Sequence, residues 1–233
     1  MTPSAERILA IYDGTLADRY DRPISHIFES IKRRAYEASG LGPGQRVLVL
    51  CCGTGLDFTH ILERIGPSGN IVGVDFSFKM LAQARLRVES EGWANVDLVQ
   101  ADVTGLDGRF VAEFDAAVCT LGMSVIPDYP AAYQVMLDAL RPGGELMIGD
   151  MQLASGAWAL LNPLTVAMAR RYGGSTEGHR NCVQLADRME RDLTHLRRRE
   201  LFFRSYFFAI GRTPGEVVPT ATPSQSSTSP LTS

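Results

Sequence analysis

A glycine-rich loop and two aspartates have residue types and spacing that suit the binding of a nucleoside. The loop Cys51-Cys52-Gly53-Thr54-Gly55 follows a short apolar run. Its glycines let the backbone approach a ligand, and a helix that follows offers free amides. Asp75 stands 20 residues after Gly55 and ends the next apolar run, where a carboxylate can accept from both ribose hydroxyls. Asp102 ends a third run, where it can accept from an adenine amino group while Val103 donates its backbone amide.

The loop has too few glycines for a dinucleotide. A pyrophosphate-binding loop would carry a third glycine three residues after Gly55, where Phe58 stands instead. Asp75 and Asp102 together therefore favour a nucleoside without a pyrophosphate. Simpler interpretations stay open at this point, because glycines also serve tight turns and aspartates also cap helices and turns.

Alternating strand and helix patterns place these residues along one edge of a predicted sheet. Apolar, β-branched runs predict strands, and most segments between them follow helical spacing. The predicted strands cover residues 46–50, 70–74, 96–100, 114–119 and 145–149. A helix over residues 24–38 precedes them, and residues 200–211 suit a strand pair or hairpin that closes the sheet. The predicted fold class is α/β, a doubly wound Rossmann-like sheet, mostly parallel with an antiparallel C-terminal strand.

Five segments in order resemble the successive motifs of class I S-adenosylmethionine-dependent methyltransferases. They are VLVLCCGTGLDF, VGVDFS, VQADV, FDAAVCTLGMSVIPD and LRPGGELMIGD, within about residues 45–152. In that family the chain most resembles the ubiquinone/menaquinone C-methyltransferases and the soluble phosphatidylethanolamine N-methyltransferases. The pairs Tyr12-Asp13 and Tyr20-Asp21 also resemble this subgroup.

The resemblance implies a binding site for S-adenosylmethionine, with no metal. The loop would wrap the methionine part, Asp75 would hold the ribose, and Asp102 with Val103 would read the adenine edge. Two side chains would flank the adenine (Phe76, Met80), two would line the site near the sulfonium (Thr120, Leu121), and Tyr20 would close over the cofactor. The expected cofactor-binding residues are Tyr20, Cys51, Gly53, Thr54, Gly55, Asp75, Phe76, Met80, Asp102, Val103, Thr120 and Leu121.

Two positions depart from the pattern of the family. The family usually has an acid where Val49 stands, and a glycine or another small residue where Cys51 stands. The missing acid removes a carboxylate that helps to hold the ammonium group of the cofactor. Asp57 can replace it from the first turn of the next helix, but we favour the interpretation that Asp57 complements the helix dipole. Cofactor binding is expected to persist, with its affinity in question.

The resemblance implies methyl transfer, and an uncharged segment points to the acceptor. Residues 151–169 carry no charge over 19 positions. Asn162-Pro163 within it favours two short helices over a membrane span, with Asn162 as the N-cap of the second. Apolar side chains there are expected to line a pocket, or else to pack in the core: Trp158, Leu160, Leu161, Leu164 and Met168. We expect a small apolar or amphipathic acceptor, either a lipid or a secondary metabolite.

Two other functions stay open at this point. A non-catalytic S-adenosylmethionine-binding protein on the same fold would tolerate Val49 and Cys51, whereas a nicotinamide oxidoreductase would need the missing third glycine. An oxygen or carbon nucleophile often needs a base. The candidates for it are His26, Asp128, Tyr129, Asp150 and His195, and none can be placed against an acceptor from the sequence.

Composition limits the partners and the location. The chain has 233 residues, 45% of them hydrophobic and 21% charged, and a net charge of −3, which argues against a nucleic-acid binder. Four cysteines without disulfide or zinc spacing, and an N-terminus unlike a secretory signal, favour a cytoplasmic protein. Peripheral membrane contact and the oligomeric state stay open. Residues 1–212 are expected to form one methyltransferase domain, and residues 213–233 a disordered Ser/Thr/Pro-rich tail.

Overall fold

Seven strands form the central sheet of the computed structural model, which describes residues 3–106 and 108–215. They are β1 (Arg46–Leu50), β2 (Asn70–Asp75), β3 (Val96–Gln100), β4 (Phe114–Thr120), β5 (Leu140–Met151), β6 (Thr194–Leu201) and β7 (Tyr206–Arg212). Their order is β3-β2-β1-β4-β5-β7-β6. The first five are mutually parallel, and β7 runs antiparallel between β5 and β6. The predicted doubly wound sheet is confirmed.

Helices cover both faces of the sheet. They are α1 (Pro3–Ile11), α2 (Asp21–Glu37), α3 (Phe58–Ile65), α4 (Phe78–Glu91), α5 (Tyr129–Ala139), α6 (Asn162–Ala169) and α7 (Thr176–Asp192). Ser77 caps α4, because its side chain accepts from the Met80 amide. Within the described ranges, no helix is long and apolar enough to cross a membrane.

The hydrophobic core lies in two layers because successive side chains of a strand point to opposite faces. In β1, Val47 and Val49 belong to the layer that holds Phe58 of α3. Leu48 and Leu50 belong to the opposite layer, with residues of α5 and α7. Val49 is only 1% exposed, so the position where the family usually has an acid is here part of an apolar layer.

Local contacts shift three element boundaries from those expected. β5 begins at Leu140, which pairs with Phe114 ahead of a register shift, rather than at residue 145. Asn162 is the first residue of α6 and not its N-cap, because its side-chain amide instead makes two hydrogen bonds of 2.8 and 3.0 Å to the backbone of Ala154. The final hairpin is confirmed, but its first strand already begins at Thr194.

The end of the described chain stays tied to the sheet. The amide of Thr213 donates to the carbonyl of Gly144 at 2.9 Å, and the amide of Gly143 donates to the carbonyl of Pro214 at 3.2 Å. Residues 216–233, most of the expected tail, lie outside the described residues, so the disordered tail stays a prediction.

Candidate active site

A cavity of about 370 Å³ lies where the parallel strands end. The carboxyl edge of a parallel α/β sheet is where ligands bind. Side chains of α1 and of the segment after it cover one side of the cavity. The expected cofactor-binding residues that line it are Tyr20, Cys51, Gly53, Asp75, Phe76, Met80, Asp102, Val103 and Leu121.

Asp75 organises the loops at this edge. Its Oδ2 accepts from the amide of Gly53 at 2.8 Å, and its Oδ1 accepts from the amide of Ser77 at 2.9 Å. Burial raises the pKa of Asp75, although these amides and that of Phe76 oppose the rise. An ionised carboxylate has about four acceptor positions, so Asp75 can hold both loops and still accept from a ligand hydroxyl.

The glycine loop has a backbone that favours glycine. Gly53 has φ +56°, and a Cβ there would lie 3.3 Å from Cε of Met80 across the cavity. Cys51 adopts φ +52°, in the left-handed region where a non-glycine residue is strained. A hydrogen bond with Cys119 and burial raise the pKa of the Cys51 thiol well above its usual value, which keeps this thiol protonated.

Three expected cofactor residues do not line the cavity. Thr54 is 1% exposed, and its hydroxyl donates to Asp21. Thr120 donates to Asp57 at 2.7 Å. Gly55 has φ +78°, and a Cβ there would lie 2.7 Å from the ring of Phe58. These three residues contact the side chains that pack behind the loop, and they do not face the cavity.

The aspartates of the two Tyr-Asp pairs, Asp13 and Asp21, hold the N-terminal segment over the cavity. Asp13 accepts from the hydroxyl of Ser77 and, at 3.1 Å, from the amide of Lys79, both at the start of α4. Asp21 accepts from Thr54 and from the guanidinium of Arg87. The Tyr-Asp pairs seen in the sequence therefore join the N-terminal segment to the loops after β1 and β2.

The tyrosines of the same pairs lie at the inner end of the cavity. Tyr12 donates to the carbonyl of Tyr172 at 2.9 Å. The ring centroid of Tyr20 is 6.2 Å from that of Tyr12 and 6.0 Å from that of Tyr172. Burial raises the pKa of both Tyr12 and Tyr20, so both phenols stay neutral.

Asp57 is held in a buried network and does not line the cavity. It accepts from Lys32 at 2.9 Å, from Tyr36 at 2.8 Å and from Thr120. Burial raises the pKa of Asp57, but the Lys32 ammonium and these hydrogen bonds outweigh it and lower the pKa below its usual value. Its side chain makes no cap hydrogen bond to α3. The network takes up the carboxylate that was considered as an ammonium ligand. Asp57 stands at the N-cap position of α3, so its role as a charge at the end of that helix stays a prediction.

A second, mostly apolar cavity of about 340 Å³ adjoins the first. The two share four residues as a common wall: Tyr12, Tyr20, Leu121 and Val125. The far side is formed by α2, the segment around α6, α7 and the turn of the final hairpin. Two cavities that meet at one wall can hold two small molecules side by side.

The uncharged segment contributes to this second cavity differently from what was expected. Met168 lines it, together with Met151, Thr165 and Ala169 of the same segment. Trp158, Leu160, Leu161 and Leu164 do not. Trp158 instead packs on Phe203, with ring centroids 4.8 Å apart. Trp158, Leu160 and Leu161 belong to a short 3-10 helix with no buried residue, and Leu164 is exposed on α6.

Most of the candidate bases either form hydrogen bonds within the protein or lie at exposed positions. Asp128 lines the first cavity and caps α5 by accepting from Ala131. Tyr129 donates to Gln184, while His26 and His195 are exposed. Asp150 is fully buried and accepts backbone amides (Ser124, Met151). Burial raises the pKa of Asp150 to about 6.

His179 is a candidate that sequence reasoning missed. It lies on α7, is 0% exposed, and lines the second cavity. Helical spacing was the available signal, because His179, Cys182 and Ala186 recur on the buried face of α7.

Comparison with known proteins identifies the family. Residues 47–144 match the family described as "Methyltransferase domain". A 2-phytyl-1,4-naphtoquinone methyltransferase of Thermosynechococcus vestitus is 32% identical over 180 residues, which are 74% of this chain and 76% of that protein. A demethylmenaquinone methyltransferase of Lactococcus lactis is 33% identical over 149 residues. That alignment covers 61% of this chain and 57% of the relative, so it spans less than two thirds of the relative's length.

Solved structures agree with the fold. A SAM-dependent methyltransferase from Aquifex aeolicus superposes with a TM-score of 0.62 at 14% identity, covering 84% of this chain and 96% of that one. A Haemonchus contortus phosphoethanolamine N-methyltransferase 2 gives 0.63 at 17% identity, covering 79% and 52%. The chain belongs to the class I S-adenosylmethionine-dependent methyltransferase family.

Proposed function

We propose that this protein transfers a methyl group from S-adenosylmethionine to a small apolar or amphipathic acceptor. The observation that carries the proposal is the common wall of the two cavities, formed by Tyr12, Tyr20, Leu121 and Val125. A donor in the first cavity and an acceptor in the second would meet at this wall. Methyl transfer is a displacement at the methyl carbon, and a protein accelerates it mainly by holding the two reactants in line.

The residues of the first cavity fit the cofactor of the family. Asp75 offers carboxylate oxygens for the ribose hydroxyls, and Phe76 with Met80 offers apolar walls for the adenine. Oδ1 of Asp102 accepts from Thr104, while Oδ2 is available to an adenine amino group. S-adenosylmethionine itself would supply an activated methyl group on a positively charged sulfur. The chain would orient it and, through the covering N-terminal segment, exclude water.

The second cavity supports an apolar acceptor. The surface of this cavity is mostly apolar and includes the side chains of Ile24, Phe28, Met151 and Met168. The curated relatives are named for demethylmenaquinone and 2-phytyl-1,4-naphtoquinone, which carry large apolar ring systems. We therefore infer that the acceptor is a small molecule of quinone type and not a nucleic acid.

A non-catalytic S-adenosylmethionine-binding protein is the second candidate. It is favoured by the strained backbone of Cys51 and by the buried, apolar position of Val49. We further propose a reducing, cytoplasmic location, which is supported by four free thiols: Cys51, Cys52, Cys119 and Cys182.

The deciding experiment measures both binding and transfer. Calorimetry with S-adenosylhomocysteine tests the first cavity. Methyl-labelled S-adenosylmethionine is then incubated with 2-phytyl-1,4-naphtoquinone and demethylmenaquinone, each reduced to its quinol, because an electron-rich ring is the better nucleophile. Label in the extracted quinone is the expected result. Binding without label in either quinol or in a metabolite extract would favour the non-catalytic protein.

A further inference from the structure

His179 is a buried polar side chain without a hydrogen-bond partner among the described residues. It is 0% exposed, and neither of its ring nitrogens has a hydrogen-bond partner among the described residues. Buried polar atoms are nearly always hydrogen-bonded. An imidazole with both nitrogens unpaired therefore needs a partner that is not among the described residues.

The second cavity is where such a partner would lie. His179 forms part of its wall, opposite apolar side chains of α2 and the segment around α6. The backbone of His179 is fixed independently, because its amide donates to Ser175 and its carbonyl accepts from Leu153. The backbone of His179 is thus paired, and the polar atoms of this residue that remain unpaired among the described residues are its two buried ring nitrogens.

The charge state of His179 suits a base. Burial lowers the pKa of His179 below its usual value of 6.5, so the ring is neutral at pH 7. A neutral imidazole has one N–H donor and one nitrogen lone pair. The lone pair can accept a hydrogen bond, and then a proton, from a hydroxyl group.

We propose that His179 binds the hydroxyl group of a hydroxylated aromatic acceptor, a phenol or hydroquinone, in the second cavity and accepts its proton during methyl transfer. This inference rests on the proposed function and adds to it a catalytic residue and the group of the acceptor that this residue binds. An apolar ring would fill the cavity, and its hydroxyl would meet the imidazole.

The step balances without any further reactant. The bond from the acceptor to the methyl carbon forms as the carbon–sulfur bond breaks, and the electron pair of that bond stays on sulfur. The hydroxyl proton moves to a ring nitrogen of His179. For attack through oxygen this completes the reaction. For attack through a ring carbon the first product is a dienone, whose ring carbon then loses its proton to water while its oxygen takes back the proton held by His179, which restores the aromatic ring.

Other titratable groups face the same space and must be separated from His179. Tyr12, Tyr20, Tyr172 and Arg171 line the cavity. Two more titratable groups lie nearby outside its lining: Cys182, on the same buried face of α7, and Asp150, which accepts from the amide of the lining residue Ser124. Asp150 has a pKa of about 6 and is the group most able to imitate a titrating histidine.

A binding experiment tests the hydrogen bond without requiring turnover. The full chain, saturated with S-adenosylhomocysteine, is titrated with 2-naphthol and with 2-methylnaphthalene, in which a methyl group replaces the hydroxyl. The wild type should bind 2-naphthol about 3- to 10-fold more tightly, the value of one hydrogen bond. His179→Phe should remove this preference, His179→Gln should keep part of it, and the exposed control His26→Gln should keep all of it.

Thermal unfolding shows whether a variant loses the binding preference only because it no longer folds. His179→Phe removes two unpaired buried nitrogens, so its Tm should equal or exceed that of the wild type. A purely structural histidine would instead lower the Tm and leave the preference for the hydroxyl unchanged. A wild type that binds both naphthalenes equally, or a His179→Phe protein that still prefers 2-naphthol, overturns the proposal.

Turnover provides the second readout. With a quinol acceptor, His179→Phe and His179→Gln should lower kcat at least about 100-fold, the value of a general base, with a smaller change in KM. The wild-type profile of kcat/KM should fall in acid with a midpoint below pH 6.5, and Asp150→Asn should retain this limb while His179→Gln loses it. No label with any acceptor refutes the proposed function, whereas the naphthalene titrations still decide the role of His179.

Discussion

Lys32 and Asp57 form a buried ion pair, with Nζ of Lys32 2.9 Å from Oδ2 of Asp57 and both side chains 7% exposed. The pair joins α2 to the start of α3, behind the glycine loop. Tyr36 and Thr120 donate two further hydrogen bonds to the carboxylate, and such additional hydrogen bonds are the condition under which a buried pair is tolerated. The ion pair therefore fixes the loop from the side away from the cavity.

Removing one partner of this pair should be costly. Lys32→Met leaves the Asp57 carboxylate buried and without a counter-ion, so the free energy of unfolding should fall by about 3–5 kcal/mol. Denaturant titration measures it. Arg46→Met is the matched control, because its ion pair with Glu113 is about 40% exposed and such pairs are worth at most about 1 kcal/mol. Equal losses in the two variants would contradict a buried, energetically coupled pair.

The buried carboxyl of Asp150 predicts a pH effect of known sign. Its pKa is raised from 3.8 to about 6, so the folded protein holds this proton more tightly than the unfolded chain. The contribution of Asp150 to stability is present below about pH 4 and is lost as the pH rises through 6. The stability of Asp150→Asn relative to the wild type should therefore increase between pH 4 and 6, by about 3 kcal/mol at most, and then level off. A difference that is constant across this range would show that Asp150 titrates normally.

Asp75→Asn should weaken cofactor binding. The substitution removes the charge that a ribose hydroxyl would meet, and a hydrogen bond to a charged group is worth about 1.5–3 kcal/mol. The Kd for S-adenosylhomocysteine should rise about 10- to 100-fold by calorimetry. Asp97→Asn on β3 is the control, because Asp97 is exposed and accepts from Asn70. Unchanged affinity in Asp75→Asn would remove Asp75 from the site.

Met168→Glu should impair use of an apolar acceptor while sparing the cofactor. Met168 lines the second cavity although it is 60% exposed, so a carboxylate there meets the acceptor. We expect KM for a short-chain quinol to rise about tenfold. Full burial of an apolar side chain is worth about 1.5–3 kcal/mol, and the expected loss lies at the lower end because Met168 is partly exposed. Leu160→Glu, at an 87% exposed position outside the cavity, should behave as the wild type. A parallel rise in the Kd of S-adenosylhomocysteine would instead indicate general disruption.

Local patterns in the sequence determined the sheet and one half of the site. Apolar runs of five to seven residues recur between helical segments, and the carboxyl ends of parallel strands meet at one edge by necessity. Asp75, Asp102 and the loop at Gly53 were therefore predictable as neighbours, because each lies at the end of a strand that hydrophobic periodicity reveals, or within three residues of it. The final hairpin was predictable for the same reason.

Only the tertiary structure decided what depends on contacts between distant segments. Asp57 pairs with Lys32, 25 residues earlier, and no local pattern distinguishes this from a helix-end charge. Trp158 packs on Phe203, 45 positions away in the chain. Met168, and not Trp158, therefore lines the second cavity. His179 becomes significant because burial removes water from its ring nitrogens while no side chain among the described residues bonds to them instead. Periodicity reports which face of an element is buried, but the partner that a buried polar group finds, or lacks, is set by the packing of the whole chain.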